Sequence, residues 1–536
     1  MKRETMLHAL TSADKPWDIL IIGGGATGLG CAIEAASRGY RTALIEQSDF
    51  AKGTSSRSTK LVHGGVRYLQ QGNIALVLEA LKERGLMLKN APHLVHNLPF
   101  VVPNYDWWEG PFYGIGLKMY DVLAGRAGIG RSKNLSKART MELIPTINPE
   151  GLSGGVIYYD GQFDDARLAV NMATTAAEQG AILVNYVECT GLLISGGEVK
   201  GCAARDVETG HEMEIPARVV INATGVFADR IMQMADPELP EMIVPSQGVH
   251  IVLDRSFLPG KTAIMVPRTD DGRVLFAIPW MDRVVVGTTD TEVDDIPLEP
   301  RPQREEIRFL LEHAARYLTK DPAPEDVLST FAGLRPLVGT PGAEAGTSSL
   351  SRDHTLHVAK TGLVTITGGK WTTYRKMSED TVSMAATLAS LSERPSVTAS
   401  LAIHGYHQNT EQFGDLGHYG SDAPAIEKLT REREDYSERL HPDRTTRVGE
   451  VVWTVRNEMV RTAEDFLSRR TRELLLNAQT SIEMAPRVIS IIAEELGRDA
   501  AWQKDELSRY ESLASGYLID SYAIESSSHD SPGQTT

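Results

Sequence analysis

A glycine-rich turn near the start of the chain constrains its fold more than any other feature. The turn reads G-x-G-x-x-G, with its glycines at Gly23, Gly25 and Gly28. It follows the apolar run 18–22 and precedes the helical pattern 26–38, and Glu46 ends the next apolar run, 18 residues after the third glycine. In this arrangement the turn brings the backbone and a helix N-terminus to a pyrophosphate, while the acid binds ribose hydroxyls. The pattern predicts a dinucleotide site on a doubly wound α/β sheet.

Two later segments favour FAD over NAD as the dinucleotide. One is the strand pattern 219–225, and the other is the stretch 367–374, which reads as a strand end, two glycines and a helix start. A second helix N-terminus would stabilise the negative charge that develops on a reduced flavin, which NAD does not require. An ordinary loop is the alternative interpretation of the second segment. From these segments we expect cofactor contacts at Ala223, Gly225, Gly369 and Thr373.

Composition excludes several classes of protein. The net charge of −16 argues against a nucleic-acid partner, which would normally require a basic face. The three cysteines are widely spaced and form no CxxC, so we expect neither disulfides nor a metal site, and a reducing compartment fits. No apolar run reaches the ~18 residues of a spanning helix. We therefore expect a soluble or peripheral protein.

The remaining pattern predicts the domain organisation. Helices are expected at 74–90 and 160–180, strands around 181–188 and 363–367, and a series of sheet strands over 244–290. The predicted regions are a doubly wound FAD-binding domain at 17–390 with a substrate-binding sheet inserted at about 85–160 and 240–345, a linker at 391–423, a small helical C-terminal domain at 424–515, and a disordered tail at 516–536.

Several motifs together resemble one family, the FAD-dependent glycerol-3-phosphate dehydrogenases. The longest is Thr54-Ser-Ser-Arg-Ser-Thr-Lys-Leu-Val-His-Gly-Gly-Val-Arg-Tyr-Leu69. The others are Gln247-Gly-Val-His250, Gly287-Thr-Thr-Asp290, Gly333-Leu-Arg-Pro-Leu337, Ser351-Arg-Asp-His354, Gly368-Gly-Lys-Trp-Thr-Thr-Tyr-Arg375 and Glu464-Asp-Phe-Leu-Ser-Arg-Arg-Thr-Arg472. The similarity runs from about residue 17 to about residue 500.

The resemblance implies oxidation of sn-glycerol 3-phosphate to dihydroxyacetone phosphate, with electrons passed from FAD to a membrane quinone. By motif, the residues implied to line the flavin are Ser55, Ser56, Ser58, Lys60, Gly64 and Gly65. Those implied to face the active site or meet the substrate are Arg67, Tyr68, His250, Arg335, Arg352 and Lys370. The resemblance implies peripheral attachment to the cytoplasmic membrane, and it leaves open whether the protein forms a homodimer.

The chemistry of these residue types supports such a site. His250 can accept the hydroxyl proton, because an unperturbed imidazole titrates near working pH, although a structural core histidine is the alternative. Arg335 and Lys370 would favour an alkoxide, and Arg335 and Arg352 suit a phosphate dianion. For the arginines the alternative is a structural ion pair, with Asp353 adjoining Arg352. A covalent flavin link at His63 is a further alternative to noncovalent packing.

An aromatic and basic stretch is the candidate membrane contact. Its aromatic residues are Trp107, Trp108, Phe112 and Tyr113, and its basic residues are Lys118, Arg126, Arg131, Lys133, Lys137 and Arg139. Aromatic side chains beside lysine and arginine suit a bilayer interface, but a solvated basic loop fits equally.

Three other functions stay open from sequence alone. A glycerol-3-phosphate oxidase would pass electrons to oxygen. An FAD-dependent amine or amino-acid oxidase would need a carboxylate clamp in place of a phosphate site. A flavin-binding regulator would need no catalytic set at all.

Overall fold

The computed structural model describes residues 1–66, 69, 73–106, 109–270, 272–339, 354–522 and 524, with only the backbone of Arg126. Arg67, Tyr68, Trp107, Trp108 and Arg352 lie outside the described residues.

The first sheet is the doubly wound sheet that the glycine motif predicts. Its order is β17-β18-β10-β1-β2-β7, and β10, β9 and β8 continue into an antiparallel extension. Neighbours from β18 to β7 are parallel, whereas β17 runs antiparallel to β18. The strands are β1 (Trp17–Ile22), β2 (Thr42–Glu46), β7 (Ile182–Asn185), β8 (Val187–Ser195), β9 (Glu198–Asp206), β10 (Glu212–Asn222), β17 (His354–Val358) and β18 (Val364–Gly368).

The second sheet stands where the inserted substrate-binding sheet is predicted. Its order is β15-β11-β14-β13-β12-β4-β6-β3, with β16 paired to β11 and β5 to β6. All but one of these pairings are antiparallel; β12 and β4 run parallel. The strands are β3 (Leu61–Val62), β4 (Val95–Asn104), β5 (Lys133–Ser136), β6 (Gly154–Phe163), β11 (Ile243–Asp254), β12 (Ala263–Val266), β13 (Leu275–Trp280), β14 (Arg283–Gly287), β15 (Thr291–Glu292) and β16 (Val327–Val338).

Helices cover both sheets. The α-helices are α1 (Arg3–Thr11), α2 (Ala26–Ser37), α3 (Ile74–Asn90), α4 (Glu109–Ala124), α5 (Lys137–Leu143), α6 (Asp165–Glu178), α7 (Ala228–Ala235), α8 (Arg304–Tyr317), α9 (Tyr374–Leu388), α10 (Ala423–Leu429), α11 (Val448–Asn457), α12 (Glu473–Leu476), α13 (Ala478–Leu496) and α14 (Ala500–Ser515). One core lies between the first sheet and α2, α6 and α9, and another joins the second sheet to the C-terminal helices. Strand β1 is apolar throughout its centre because both of its faces are covered.

Several local boundaries differ from the sequence expectations. The helix expected from residue 160 begins at Asp165, because residues up to Phe163 extend β6 and the Asp164 side chain caps the helix by accepting from the Arg167 backbone N–H. The polar lead-in contains α1, and buried Arg3 ties it to the sheet by donating to the carbonyl of Asn185. The polar composition of the first residues gave no indication of α1, which the buried Arg3 holds against the sheet.

The expected linker, 391–423, and the described beginning of the expected disordered tail both contain residues that pack against the rest of the protein. In the stretch 391–423, Ile403 and Tyr419 are buried, and the Ile403 backbone N–H donates to the Asn90 carbonyl. In the expected tail, Tyr517 is buried and its hydroxyl donates to Glu299. The serine, glycine and proline content of these segments gave no indication that single large side chains, Ile403, Tyr419 and Tyr517, are buried in the protein.

The α-helices of the described residues are too short or too polar to cross a bilayer.

Candidate active site

A cavity of about 530 Å³ lies between the two sheets and contains most of the predicted site. Its walls come from the glycine turn after β1, the loop 51–66, the ends of β10 and β18, and strands β11, β13 and β16. The predicted residues that line it are Gly23, Gly25, Glu46, Ser55, Ser58, Gly65, Ala223, Gly225, His250, Arg335, Gly369 and Lys370. One continuous space therefore joins the dinucleotide motif to the candidate catalytic residues.

The glycines at the nucleotide end are required by their surroundings. Gly23 has φ +110°, and a Cβ there would lie 2.6 Å from the Ala223 carbonyl oxygen. A Cβ on Gly28 would lie 1.9 Å from the Gly23 carbonyl oxygen, so this glycine allows helix and strand to pack closely. Gly25 is the residue that caps α2, and the Ala26 N–H donates to the Ser55 hydroxyl. A bare backbone at a helix start is the cradle that an FAD pyrophosphate fits.

Glu46 stands against this turn. Its carboxylate accepts hydrogen bonds from the backbone N–H groups of Gly24, at 2.6 Å, and Ser48, at 2.9 Å. Burial raises the pKa of Glu46, while these two hydrogen bonds act in the opposite direction. The acid is thus held at the end of β2, where a ribose would lie beside the pyrophosphate.

Five predicted cofactor residues do not line the cavity: Gly28, Ser56, Lys60, Gly64 and Thr373. Lys60 shows why, since its ammonium is fully buried and donates to Asp165, at 2.7 Å, and to the Ser56 carbonyl, at 2.8 Å. The Gly64 N–H donates to the Tyr120 hydroxyl and the Thr373 hydroxyl to the Lys370 carbonyl. These residues support the cavity wall from behind.

His250 lies on β11 with its ring enclosed. It is 2% exposed, stacks on Phe331 with ring centroids 4.7 Å apart, and places Nε2 3.0 Å from the Thr59 hydroxyl. Burial, with the positive charges of Lys60 and Arg335, holds the pKa of His250 well below its usual value. The ring is therefore neutral at neutral pH.

Arg335 projects from β16, where it is paired with Ser246 of β11. Its guanidinium donates to the Thr288 hydroxyl and the Thr289 carbonyl, both at 3.0 Å, and forms an ion pair with Asp290 at 3.4 Å. The sequence suggested no partner for Arg335, because only strand pairing brings the loop 288–290 beside this arginine. The positive charge is fixed at the cavity wall by the protein's own acceptors.

Lys370 and His63 reach the cavity from the other side. Lys370 follows Gly368 and Gly369, both with positive φ, and precedes Trp371, whose indole N–H donates to the Ser55 carbonyl at 2.9 Å. This bond joins the loop after β18 to the segment 55–58, which contains Ser55, Ser56 and Ser58 and is called the serine loop below. His63 also lines the cavity, and its backbone N–H donates to the Thr372 hydroxyl.

Three residues that hold His250 and Arg335 in place were not predicted from the sequence. Thr59 contacts His250, Phe331 stacks on the same ring, and Asp290 pairs with Arg335. Thr59 and Asp290 lie inside quoted motifs, which was the available signal for them. No pattern marked Phe331, because only the register of β11 with β16 places it opposite His250.

Comparison with known proteins agrees with this geometry. The profile of the family described as "FAD dependent oxidoreductase" matches residues 18–375, and that of the "C-terminal domain of alpha-glycerophosphate oxidase" matches residues 360–503. The protein is thus an FAD-dependent oxidoreductase, with FAD as its cofactor.

Individual relatives show to which family of FAD-dependent oxidoreductases the chain belongs. The chain is 40% identical to the mitochondrial glycerol-3-phosphate dehydrogenase of Rattus norvegicus, over 94% of this chain and 74% of that protein. It is also 40% identical to the mitochondrial glycerol-3-phosphate dehydrogenase of Arabidopsis thaliana, over 95% and 87%. The solved glycerol-3-phosphate dehydrogenase of Bacillus halodurans, complexed with FAD, superposes with a TM-score of 0.80 at 29% identity, over 98% and 99%. The chain belongs to the FAD-dependent glycerol-3-phosphate dehydrogenase family.

Proposed function

We propose that this cavity oxidises sn-glycerol 3-phosphate to dihydroxyacetone phosphate and that the electrons pass to a membrane quinone. The observation that carries the proposal is the single cavity that joins the dinucleotide glycines to His250, Arg335 and Lys370. The names of the relatives support the substrate. The quinone rests on the family resemblance.

The residues present divide the chemistry of alcohol oxidation between them. Bound FAD supplies the acceptor for the hydride that leaves the substrate carbon. His250 takes up the hydroxyl proton, since its enclosed ring is neutral. The fixed charges of Arg335 and Lys370 stabilise negative charge on the substrate oxygen in the transition state.

The same cations favour a phosphorylated substrate. Arg335 offers a planar guanidinium and Lys370 an ammonium at one cavity, which suits a dianion. An amine or amino-acid oxidase would use such cations as a carboxylate clamp. Comparing glycerol 3-phosphate with glycerol and with amino acids therefore discriminates between these substrate classes.

Anaerobic reduction of the bound flavin tests the reaction directly. Purified holoenzyme should lose its flavin absorbance when glycerol 3-phosphate is added without oxygen, and dihydroxyacetone phosphate should form in equal amount. Glycerol and alanine serve as controls and should leave the spectrum unchanged. A spectrum that glycerol 3-phosphate does not alter would refute the proposed function.

The proposed route to quinone uses an exposed apolar face on α4. Its side chains are spaced along one side of the helix: Phe112 is 53% exposed, Ile115 64%, Met119 50% and Val122 79%. The helix α3 packs beside it and exposes Ile74 and Leu78. Such a face, with the exposed basic residues Arg131, Lys133 and Lys137 following it, suits the surface of an anionic bilayer. We call the exposed side chains of Phe112, Ile115, Met119 and Val122 the α4 face, and we propose that this face, with the basic residues that follow it, docks on the cytoplasmic membrane.

The electron acceptor is tested separately from the substrate. With glycerol 3-phosphate present, a short-chain quinone should be reduced much faster than oxygen is converted to hydrogen peroxide. Fast peroxide formation with slow quinone reduction would make the protein an oxidase while leaving the proposed substrate intact.

A further inference from the structure

His250 has one ring nitrogen through which it can exchange a proton with the cavity. Nδ1 has less than 1 Å² of exposed surface and no hydrogen-bond partner among the described residues. Nε2 lies 3.0 Å from the Thr59 hydroxyl, and Thr59 lines the cavity. A proton that travels between substrate and ring therefore meets the threonine hydroxyl on its way.

Thr59 is held in place from both sides. The backbone N–H and hydroxyl of Ser58 donate to the Asp165 carboxylate, at 3.0 and 2.7 Å, and the Lys60 ammonium donates to the same oxygen at 2.7 Å. Asp165 is fully buried and also accepts from Arg472 at 3.1 Å. One buried carboxylate thus fixes the residues before and after Thr59, which sets the position of its hydroxyl against His250.

The His250 ring has little freedom to move away from this contact. It stacks on Phe331 at an interplanar angle of 12°. Gly287 of β14 lies against the ring edge, where an added Cβ would be 2.2 Å from the imidazole Cδ2. Strand neighbours therefore confine the ring in the plane that directs Nε2 at Thr59.

We propose that Thr59 relays the proton from the substrate hydroxyl to His250, an inference that rests on the proposed function. The substrate O–H bond breaks as its proton passes to Thr59 Oγ1, and the proton already on Oγ1 passes to His250 Nε2. The electron pair of the neighbouring C–H bond goes to FAD as hydride, and a C=O bond forms. A hydroxyl can donate and accept at once, which this double transfer requires.

The relay requires one particular tautomer of the His250 imidazole. Before the reaction Nε2 must carry the lone pair, so the proton of the neutral ring must reside on the enclosed Nδ1. After the reaction the ring is cationic and Nε2 donates back to Thr59. The tautomer is thus an observable independent of turnover.

The first test compares threonine variants in anaerobic flavin reduction by glycerol 3-phosphate. Thr59→Val should slow reduction by about 100-fold, the range of a lost acid–base group, while bound FAD stays at the wild-type level. Thr59→Ser should restore most of the rate. Thr454→Val is the matched control, since that buried hydroxyl donates to the Val451 carbonyl at 2.9 Å and does not line the cavity. A Thr59→Val rate within threefold of wild type would overturn the relay.

The second test asks whether Thr59 acts through His250. Because both groups serve one transfer, His250→Asn combined with Thr59→Val should be no slower than the slower single variant. Rate losses that multiply would show independent roles and contradict the relay.

The third test needs no turnover. In protein labelled with ¹⁵N-histidine, the His250 ring should show the Nδ1–H tautomer, and Thr59→Val but not Thr454→Val should shift its Nε2 signal. An Nε2–H tautomer in the wild type would overturn the relay. If glycerol 3-phosphate reduces no flavin, the proposed function fails, yet this measurement still decides the tautomer.

Discussion

The two ends of the cavity are built by different means. At the nucleotide end, the turn after β1, the end of β2 and the serine loop all come from residues 17–58 and act mainly through the backbone. At the substrate end, His250, Arg335 and Lys370 come from β11, β16 and the loop after β18 and act through side chains. The nucleotide end therefore depends on the absence of side-chain atoms, and the substrate end on charges held by distant strands.

This contrast predicts which function each substitution removes. Added bulk at Gly23 or Gly28 should remove the cofactor, because the atoms nearest an added Cβ there belong to the backbone and cannot move aside by a side-chain rotation. A lost charge at the substrate end should leave FAD bound and slow the reaction. The predictions that follow challenge this separation, beginning with the largest effect.

The largest effect is expected for Gly28→Val. The new Cβ would lie 1.9 Å from the Gly23 carbonyl, so α2 must move off the strand and the pyrophosphate cradle is lost. We expect purified protein almost free of flavin, measured as the ratio of flavin to protein absorbance. Gly191→Val is the control, because a Cβ there meets no atom within 4 Å and Gly191 does not line the cavity. Normal flavin content in Gly28→Val would mean that packing at this end tolerates bulk.

Arg470→Met tests whether the C-terminal region stabilises the nucleotide end of the cavity. Asp49, three residues after Glu46, is fully buried and accepts from Arg469 at 2.6 Å and Arg470 at 2.7 Å. Burial raises the pKa of Asp49, but the two arginines outweigh it and lower the pKa to about 2. Losing one arginine leaves a buried charge poorly compensated, which should cost about 3–5 kcal/mol in free energy of unfolding.

Chemical denaturation measures this cost. Among the described residues, the exposed Arg431 forms an ion pair only with Glu427, one helical turn away, so Arg431→Met should change stability by less than about 0.5 kcal/mol. Equal small losses for both variants would show that the C-terminal helices do not brace the nucleotide end.

The substrate end is addressed by Arg335→Ala. Removing this charge should lower kcat/KM for glycerol 3-phosphate by a factor that corresponds to about 2–5 kcal/mol of lost transition-state stabilisation, while FAD stays bound. Arg316→Ala is the control, since Arg316 is exposed and pairs with Asp270 away from the cavity. Unchanged kcat/KM would remove Arg335 from the substrate site and leave it a structural partner of Asp290.

The same contrast explains how far sequence could predict this molecule. The conformation of the glycine turn could be predicted because one short contiguous segment fixes it, while its contact with the pyrophosphate and that of Glu46 with a ribose stay predictions. Lys60 was misplaced because its motif position suggested a flavin contact, whereas the buried Asp165, more than 100 residues away, takes its charge. Phe331 was invisible because its role arises from the pairing of β16 with β11. Side chains assembled by tertiary register leave no local pattern.

The smallest effect is expected at the α4 face, outside both ends of the cavity. Ile115 and Val122 are among its most exposed apolar residues, and each side chain that enters the interface gains about 1.5 kcal/mol or more. Ile115→Asn with Val122→Asn should weaken binding to anionic liposomes roughly tenfold or more, as measured by pelleting, while activity with a soluble dye is preserved. Ile194→Asn with Leu388→Asn removes two other exposed apolar residues and serves as the control.

Charge at the same surface gives a second, weaker contribution. Replacing Arg131, Lys133 and Lys137 by Glu should reduce pelleting with anionic liposomes but not with neutral ones, since attraction to headgroups acts over about 8 Å and senses local charge despite the net −16. Added salt should weaken wild-type binding for the same reason. If both sets of variants pellet as the wild type does, the α4 face is not the docking surface. Quinone would then have to reach the flavin through another surface, although the chemistry at His250 and Arg335 would be unaffected.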